Sequence, residues 1–331
     1  MKKILILKPK SQEGQPSFER TQAFVDFYKN CGVAVSVLQT PGNIYETFKI
    51  IAFIYRIGIK NLFITMPPFR NWILFLLPHI NIVLDIRDGW SIAMKSGYGG
   101  TAKPSKIKYF IARYVEKIAI KRSCLTITCT LGLQDYLNGL SNEDMLLITN
   151  GYGKKNYEII KNLKNESFPI RDDNIDTAVC AGQFSEYGED KVKNILHKIS
   201  SNDLNKKTII KLIGTNKQRN SWINGWLEEN NIKNIEIVIL PRMNHTEMYK
   251  VILNATYGIA VIRDPDYDFG TKVFDYILCG IPIFDYFDEP NKFTDYFKSF
   301  LTSFIKGPLA KSFLRESLIN EKRNKLLGCM K

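Results

Sequence analysis

The sequence Asp268-Phe269-Gly270-Thr271-Lys272-Val273-Phe274-Asp275-Tyr276-Ile277-Leu278-Cys279-Gly280-Ile281-Pro282-Ile283-Phe284 decides how the chain is to be read. An apolar run over 257–262 precedes it and reads as a strand. The acidic loop Arg263-Asp264-Pro265-Asp266-Tyr267-Asp268 joins the two. Gly270 permits a sharp backbone turn. Over 271–279 the apolar residues Val273, Phe274, Ile277 and Leu278 recur at helical spacing. Gly280 stops that helix, and Ile281-Pro282-Ile283-Phe284 opens another buried strand. The order is therefore strand, acidic loop, helix, strand. A helix start offers free N–H groups and a partial positive charge, which suits a phosphate. Lys272 stands in the first turn, where a cation opposes the helix dipole, and that conflict points to a bound anion. Asp275, one turn further, can accept hydrogen bonds from a sugar hydroxyl.

The same rhythm runs outward in both directions. In the second half, a strand over 176–181 leads to Gly182-Gln183-Phe184 and a helix over 190–199. A strand over 208–213 ends in Gly214-Thr215-Asn216 before a helix over 220–230. A strand over 235–240 closes at Pro241, and a helix over 246–253 follows. The first half reads strand 3–7, a loop with Gly14, helix 17–30 and strand 33–38. Helix 45–57, strand 61–65, helix 69–77, strand 82–86, a glycine-rich loop over 91–103 and helix 106–122 come next. Strand 125–129, helix 131–138 and strand 145–148 finish it. Alternating strands and helices predict parallel sheets covered on both faces. At 331 residues, two domains are expected. The fold class is α/β with Rossmann-like domains at 1–150 and 177–307, a polar linker at 151–176 and a helical tail at 308–331. Gly14 follows the first strand, where open sheets bind ligands, though a plain turn explains it equally.

Thr271-Lys272-Val273-Phe274-Asp275-Tyr276, with Gly280, Pro282 and Ile283, resembles the donor-binding motif of GT-B glycosyltransferases. The nearest pattern is that of the retaining family four, bacterial surface-polysaccharide type: (S/T)-K-x-x-E-Y-x-x-x-G-x-P-[IV]. Asp85-Ile86-Arg87-Asp88-Gly89-Trp90 resembles that family's D-x-R-D-x-W stretch, and Thr149-Asn150-Gly151 resembles the end of its first domain. The resemblance implies two Rossmann-like domains facing across a cleft, with the last helix returning to the first domain. It implies a nucleotide-diphosphate sugar on the second domain and a glycan or lipid-linked acceptor on the first.

Carried over residue by residue, the resemblance makes Lys272 and Arg263 stabilisers of the diphosphate. Gly14, Gly182, Gln183, Gly214, Asp268, Gly270, Thr271, Asp275 and Tyr276 become donor-binding. Asp88 becomes the base for the acceptor hydroxyl if the enzyme inverts; if it retains, no protein base is required. Asp88 as a cap on the following segment is the competing reading. Asp85 is expected to be buried, paired with Arg87 or with backbone amides. The sequence departs from the family at two places. Tyr267 occupies the first of its two glutamate positions, between Asp266 and Asp268, and Gln183 replaces its usual arginine. Lys191, Arg263 or Lys272 would then neutralise the pyrophosphate.

Composition narrows the alternatives. Net charge is +13. Residues 1–150 carry 19 Lys+Arg against 10 Asp+Glu, and the remainder 27 against 23, so the excess lies in the first half. That suggests an anionic partner there. From Lys95 to Arg122 stand eight basic residues and one acid, Glu116. Within that stretch Ile107, Phe110, Ile111, Tyr114, Val115 and Ile118 share one helical face. Such a helix packs on the core with a solvated rim, or lies on an anionic membrane with its lysines beside the apolar stripe.

Nucleic-acid binding has no supporting motif or basic-aromatic repeat. A nucleotide-sugar 2-epimerase of the same architecture would need several carboxylates and histidines converging, and the chain has three scattered histidines. No cofactor is expected, and no metal: Asp264-Pro265-Asp266 has the spacing of a metal motif but not its strand-end setting. Six dispersed cysteines read as reduced thiols, mostly buried. The apolar run at 4–7 is too short for a signal peptide, and the run at 72–77 too short to span a bilayer. A cytoplasmic protein, or one peripheral on the inner membrane face, is expected.

Overall fold

The computed structural model describes residues 2–98, 102–166, 174–202, 206–301 and 313–331. These form two compact units that divide at Gly153, with 313–331 joining the first. In the first unit β1 (Lys3–Lys8), α1 (Pro16–Asn30), β2 (Ala34–Gln39), α2 (Ile44–Arg56) and β3 (Asn61–Met66) come in turn. A 3-10 helix, Phe69–Leu76, then precedes β4 (Asn81–Ile86), α3 (Trp90–Ser96), α4 (Lys106–Arg122), β5 (Leu125–Thr128), α5 (Leu131–Ser141) and β6 (Leu146–Leu147). The strands make one parallel sheet in the order β2-β1-β3-β4-β5-β6. Ile4 of β1 stands between Val35 of β2 and Asn61 of β3. The chain reverses direction across the sheet between β1 and β3, so their carboxyl ends flank a crevice of the kind that takes ligands in open sheets.

The second unit runs α6 (Lys154–Leu163), β7 (Ile175–Ala181), α7 (Glu189–Asn202), β8 (Lys207–Ile213), α8 (Trp222–Glu229), β9 (Ile235–Leu240) and α9 (His245–Leu253). It continues with β10 (Tyr257–Gly258), α10 (Lys272–Cys279) and α11 (Lys292–Phe297). Its parallel sheet has the order β10-β7-β8-β9, so the switch falls between β7 and β10. Ile195, Leu196, Leu212 and Ile259 centre the core of this unit.

Both sheets are parallel, as the alternating elements predict. Several local expectations fail. Residues 91–96, read as flexible loop, belong to α3, which ends at Gly97 in the left-handed region; 99–101 lie outside the described residues. Residues 154–163, read as linker, are α6, which packs on α9 and α10; 167–173 lie outside the described residues. The run 257–262 contributes only two ladder residues, although Ile259 to Ile262 are all buried. Ile283, expected in a strand, makes isolated bridges to Gly258 and Leu301. The tail is two short helices, α12 (Arg315–Glu321) and α13 (Arg323–Gly328), and the part over 308–312 lies outside the described residues. Ile319, Leu326 and Met330 of this tail enter one core with Ile4, Ile6 and Phe24. All six cysteines are free thiols; Cys129, Cys180 and Cys279 are buried, whereas Cys124 is exposed.

The helix face of α4 departs from the first of its two readings, in which the apolar stripe packs on the core. Its buried residues are Ala112, Glu116, Ala119 and Ile120. Ile107, Phe110, Ile111 and Tyr114 are 52–77% exposed. Two stripes compete for the interior of this helix, and the small-residue one wins because it allows close approach to α3, its most intimate neighbour.

Candidate functional site

The carboxyl edge of the second sheet gathers most of the residues singled out in the sequence. β7 ends in Gly182, whose φ of +108° only glycine adopts readily. A methyl group at Gly182 would lie 4.0 Å from Lys272 Cγ, so the switch-point loop and the start of α10 are neighbours. Lys272 Nζ donates to Asp275 Oδ2 at 3.0 Å and lies 3.6 Å from Met248 Sδ. Its side chain keeps 37% of its surface exposed, while Asp275 is buried. Tyr249 of α9 donates its hydroxyl to the other carboxylate oxygen, Oδ1, at 2.8 Å. Asp275 thus aims the ammonium, and Tyr249 aims Asp275. No side chain caps the start of α10, where Thr271 is the N-cap residue.

The acidic loop folds onto itself beside this pair. Asp268 accepts from Arg263 Nε at 2.8 Å through Oδ2 and from the Gly270 amide at 3.0 Å through Oδ1. The Gly270 amide, expected to face a phosphate, is therefore already engaged. Lys191 Nζ donates to the Ile262 carbonyl at 3.0 Å and also to that of Arg263. Burial holds the Lys191 ammonium below the usual lysine range, against the pull of Asp264 and Asp268. Lys191 pins the carboxyl end of 257–262 from beneath.

Tyr276, expected among the donor-binding residues, is fully buried. Its hydroxyl accepts from the Ala181 amide at 2.9 Å and donates to the Ile259 carbonyl at 3.1 Å. Burial raises it well above the usual tyrosine range. Tyr276 is a bolt between the two strand ends that flank the switch. Gly258 is required beneath it, since a methyl there would come within 2.5 Å of the ring.

The loops after β7 and β8 are laced together. Glu186 accepts from the Phe184 amide at 2.7 Å and from the Asn216 amide at 3.0 Å. Buried Asn220 accepts from the Ser185 amide at 3.2 Å and donates to the Asn216 carbonyl at 2.8 Å. Gly214, exposed with φ +70°, passes close to Arg242, and Gln183 is exposed at the same edge. Glu186, Asn220 and Tyr249 carry no local motif. Only the expectation that buried polar groups find partners pointed towards them.

The carboxyl edge of the first sheet is built differently. Asp85 is buried and paired, not with Arg87, but with Arg20 of α1, whose Nη2 donates to Oδ1 at 2.7 Å. Arg20 Nη1 also donates to the Ile148 carbonyl at 2.8 Å. The pair closes the end of β4 onto the end of the sheet. Asp88 is half-buried just beyond. Gly89, not Asp88, is the N-cap residue of α3. The helix start is met instead by Glu116 of α4, which accepts from the Trp90 and Ser91 amides at 2.6 and 3.2 Å. Ser91 Oγ donates to its second oxygen and touches the Tyr136 hydroxyl at 2.8 Å. Burial lifts the Glu116 carboxyl to about 7, although the bonds from Ser91 and Trp90 favour its charged form. Gly14 is exposed, and its amide donates to Glu19 at 3.0 Å.

No protein-family model and no curated sequence matches the chain. Solved structures do. The lipopolysaccharide outer core galactosyltransferase WaaB aligns over 99% of both chains at 11% identity, with a TM-score of 0.61. The chain has the GT-B fold. Anabaena HepE, solved with UDP and glucose, aligns over 98% of this chain and 92% of its own at 12% identity, TM-score 0.56. The UDP-GlcNAc 2-epimerase of Neisseria meningitidis, bound to UDP-GlcNAc, aligns over 97% and 91% at 10% identity, TM-score 0.52. Transferases and epimerases thus share this architecture. Among the described residues no group of three or more His, Cys, Asp or Glu could hold a metal ion, and no helix is long and apolar enough to cross a membrane.

Proposed function

We propose that the protein is a glycosyltransferase that takes a sugar from a nucleotide-diphosphate sugar and passes it to a lipid-linked glycan acceptor in surface-polysaccharide synthesis. The observation that carries this reading is Lys272. Its ammonium is accessible, aimed by Asp275, and set beside Gly182 at the switch point of the second sheet. As the glycosidic bond to the diphosphate breaks, negative charge builds on the leaving phosphate. Lys272 is placed to meet it, with Arg263 in support once Asp268 shares it. Gly182 and Gly214 let backbone approach the donor closely. Asp275 retains acceptor capacity for a ribose or sugar hydroxyl. Asp88 is assigned to the acceptor. Transfer with retention and without metal follows from the family resemblance.

The epimerase reading is favoured by the shared fold with the Neisseria enzyme. Against it stand the three scattered histidines of the sequence, where proton removal at a sugar carbon calls for convergent histidines and carboxylates. A thermal-shift screen of UDP-, GDP-, dTDP- and CMP-sugars tests the proposal. One nucleotide diphosphate should raise the melting temperature of the wild type and leave Lys272→Ala unmoved. Mass spectrometry then separates the readings: a glycosylated acceptor supports transfer, and an epimerised donor without acceptor supports the alternative. No shift with any donor would overturn both.

A further inference from the structure

Among the described residues, eleven large hydrophobic side chains are exposed, and ten belong to three elements of the first unit. Four lie on α4 and four on α2: Ile44, Tyr45, Phe48 and Tyr55. Trp72 and Leu76 lie on the 3-10 helix Phe69–Leu76, which packs against both α2 and α4. The three elements are therefore contiguous, and the apolar side chains they expose are far richer than the scattered exposure of an ordinary surface.

The charge around that face has one sign. Lys49 and Arg56 of α2 are exposed, as are Lys106, Lys108, Arg113 and Lys117 of α4. Each helix holds a single acid, and both acids are turned onto backbone. Glu46 accepts from the Gly42 amide, and Glu116 from the amides of Trp90 and Ser91. The 3-10 helix contains no acid. Six of the ten hydrophobics are aromatic, and they include Trp72 and three tyrosines, the types that sit at a bilayer's headgroup level.

We propose that α2, the 3-10 helix Phe69–Leu76 and α4 together form a docking face for an anionic lipid surface. The apolar side chains reach the acyl boundary, and the lysines snorkel to the phosphates beside them. Two signals act together here, apolar area and cations, and neither holds a protein at a membrane for long by itself. The proposal stands apart from the donor-sugar reading, because it uses no residue of the second unit.

Co-sedimentation of the full chain with vesicles tests it. Vesicles of phosphatidylcholine alone are compared with vesicles that also contain phosphatidylglycerol, since each cation near an anionic surface strengthens attachment roughly fivefold. Wild type should bind the anionic vesicles at least about tenfold better, and less as salt rises. The variant Phe110→Ser/Tyr114→Ser/Phe48→Ser and the variant Lys106→Gln/Lys108→Gln/Arg113→Gln/Lys117→Gln should each lose most of that binding. All substituted positions are exposed, so melting temperatures should hold. Equal binding of wild type to both vesicle types overturns the proposal, as does wild-type binding by both variants. So does the absence of vesicle binding together with a concentration-dependent dimer that the serine variant abolishes, which would make the face a self-association surface. Nucleotide-sugar binding, measured in parallel, reports on the transferase reading and leaves this outcome untouched.

Discussion

The two sheets each carry an ion pair at the carboxyl edge, and the pairs do opposite things. Arg20 and Asp85 are 1% and 0% exposed, bound through several contacts, and tied on to Ile148. Lys272 and Asp275 meet through one contact, with the ammonium more than a third exposed. The first pair cannot meet a ligand without breaking the sheet edge. The second can exchange its partner, since an accessible ammonium gains little from a single carboxylate and more from a diphosphate. Accessibility, rather than charge, separates the structural pair from the candidate functional one.

That contrast can be broken experimentally. The largest effect should come from Asp85→Ala, which strands the buried Arg20 guanidinium and should cost about 3–5 kcal/mol in denaturant unfolding. A loss under roughly 1 kcal/mol, the range of exposed pairs, would mean that the two pairs are alike. Next, Lys272→Ala should lower turnover by about 100-fold or more while leaving the melting temperature nearly unchanged. Near-normal turnover would remove Lys272 from the chemistry.

A third carboxylate sharpens the comparison. Glu116 is as buried as Asp85 but takes no cation, so burial lifts its carboxyl from 4.5 to about 7. The folded state then holds a proton that the unfolded state releases, and stability falls as pH rises from about 4.5 through 7. Glu116→Gln removes that slope. Melting curves between pH 5 and 8 should show wild type losing stability relative to the variant; parallel curves would place the carboxyl near its ordinary range. The smallest expected effect is none at all. Dialysis against chelator should leave transfer unchanged, and a loss restored by manganese would assign a metal to the acidic loop.

The fold was legible because buried parallel strands are nearly continuous apolar runs, and those runs are closed by Gly182, Gly214 and Pro241. Lys272 and Asp275 stood out through the first-turn position of one and the motif that holds both, but their pairing with each other was not read. Arg20 was not: it lies 65 residues from Asp85, and a nearer arginine, Arg87, offered a simpler partner. Tyr276 lay within the motif, yet the motif does not say whether a conspicuous side chain faces ligand or backbone. Periodicity placed Ile107, Phe110, Ile111 and Tyr114 on one face of α4 but could not say that the face turns outward. That depended on Ala112, Ala119 and Glu116 fitting α3 more closely.

The position of α12 and α13 bears on the order in which the chain is made. Ile319, Leu326 and Met330 complete a core begun by Ile4 and Ile6, while all of the second unit is encoded between them. On the ribosome the second unit emerges before α12 and α13 do. The first must wait, with its β1–β6 sheet lacking its last packing helices, until α12 and α13 leave the exit tunnel. During that interval its exposed face on α2 and α4 is joined by a second, unfinished apolar surface, and transiently exposed apolar surface of that kind favours aggregation.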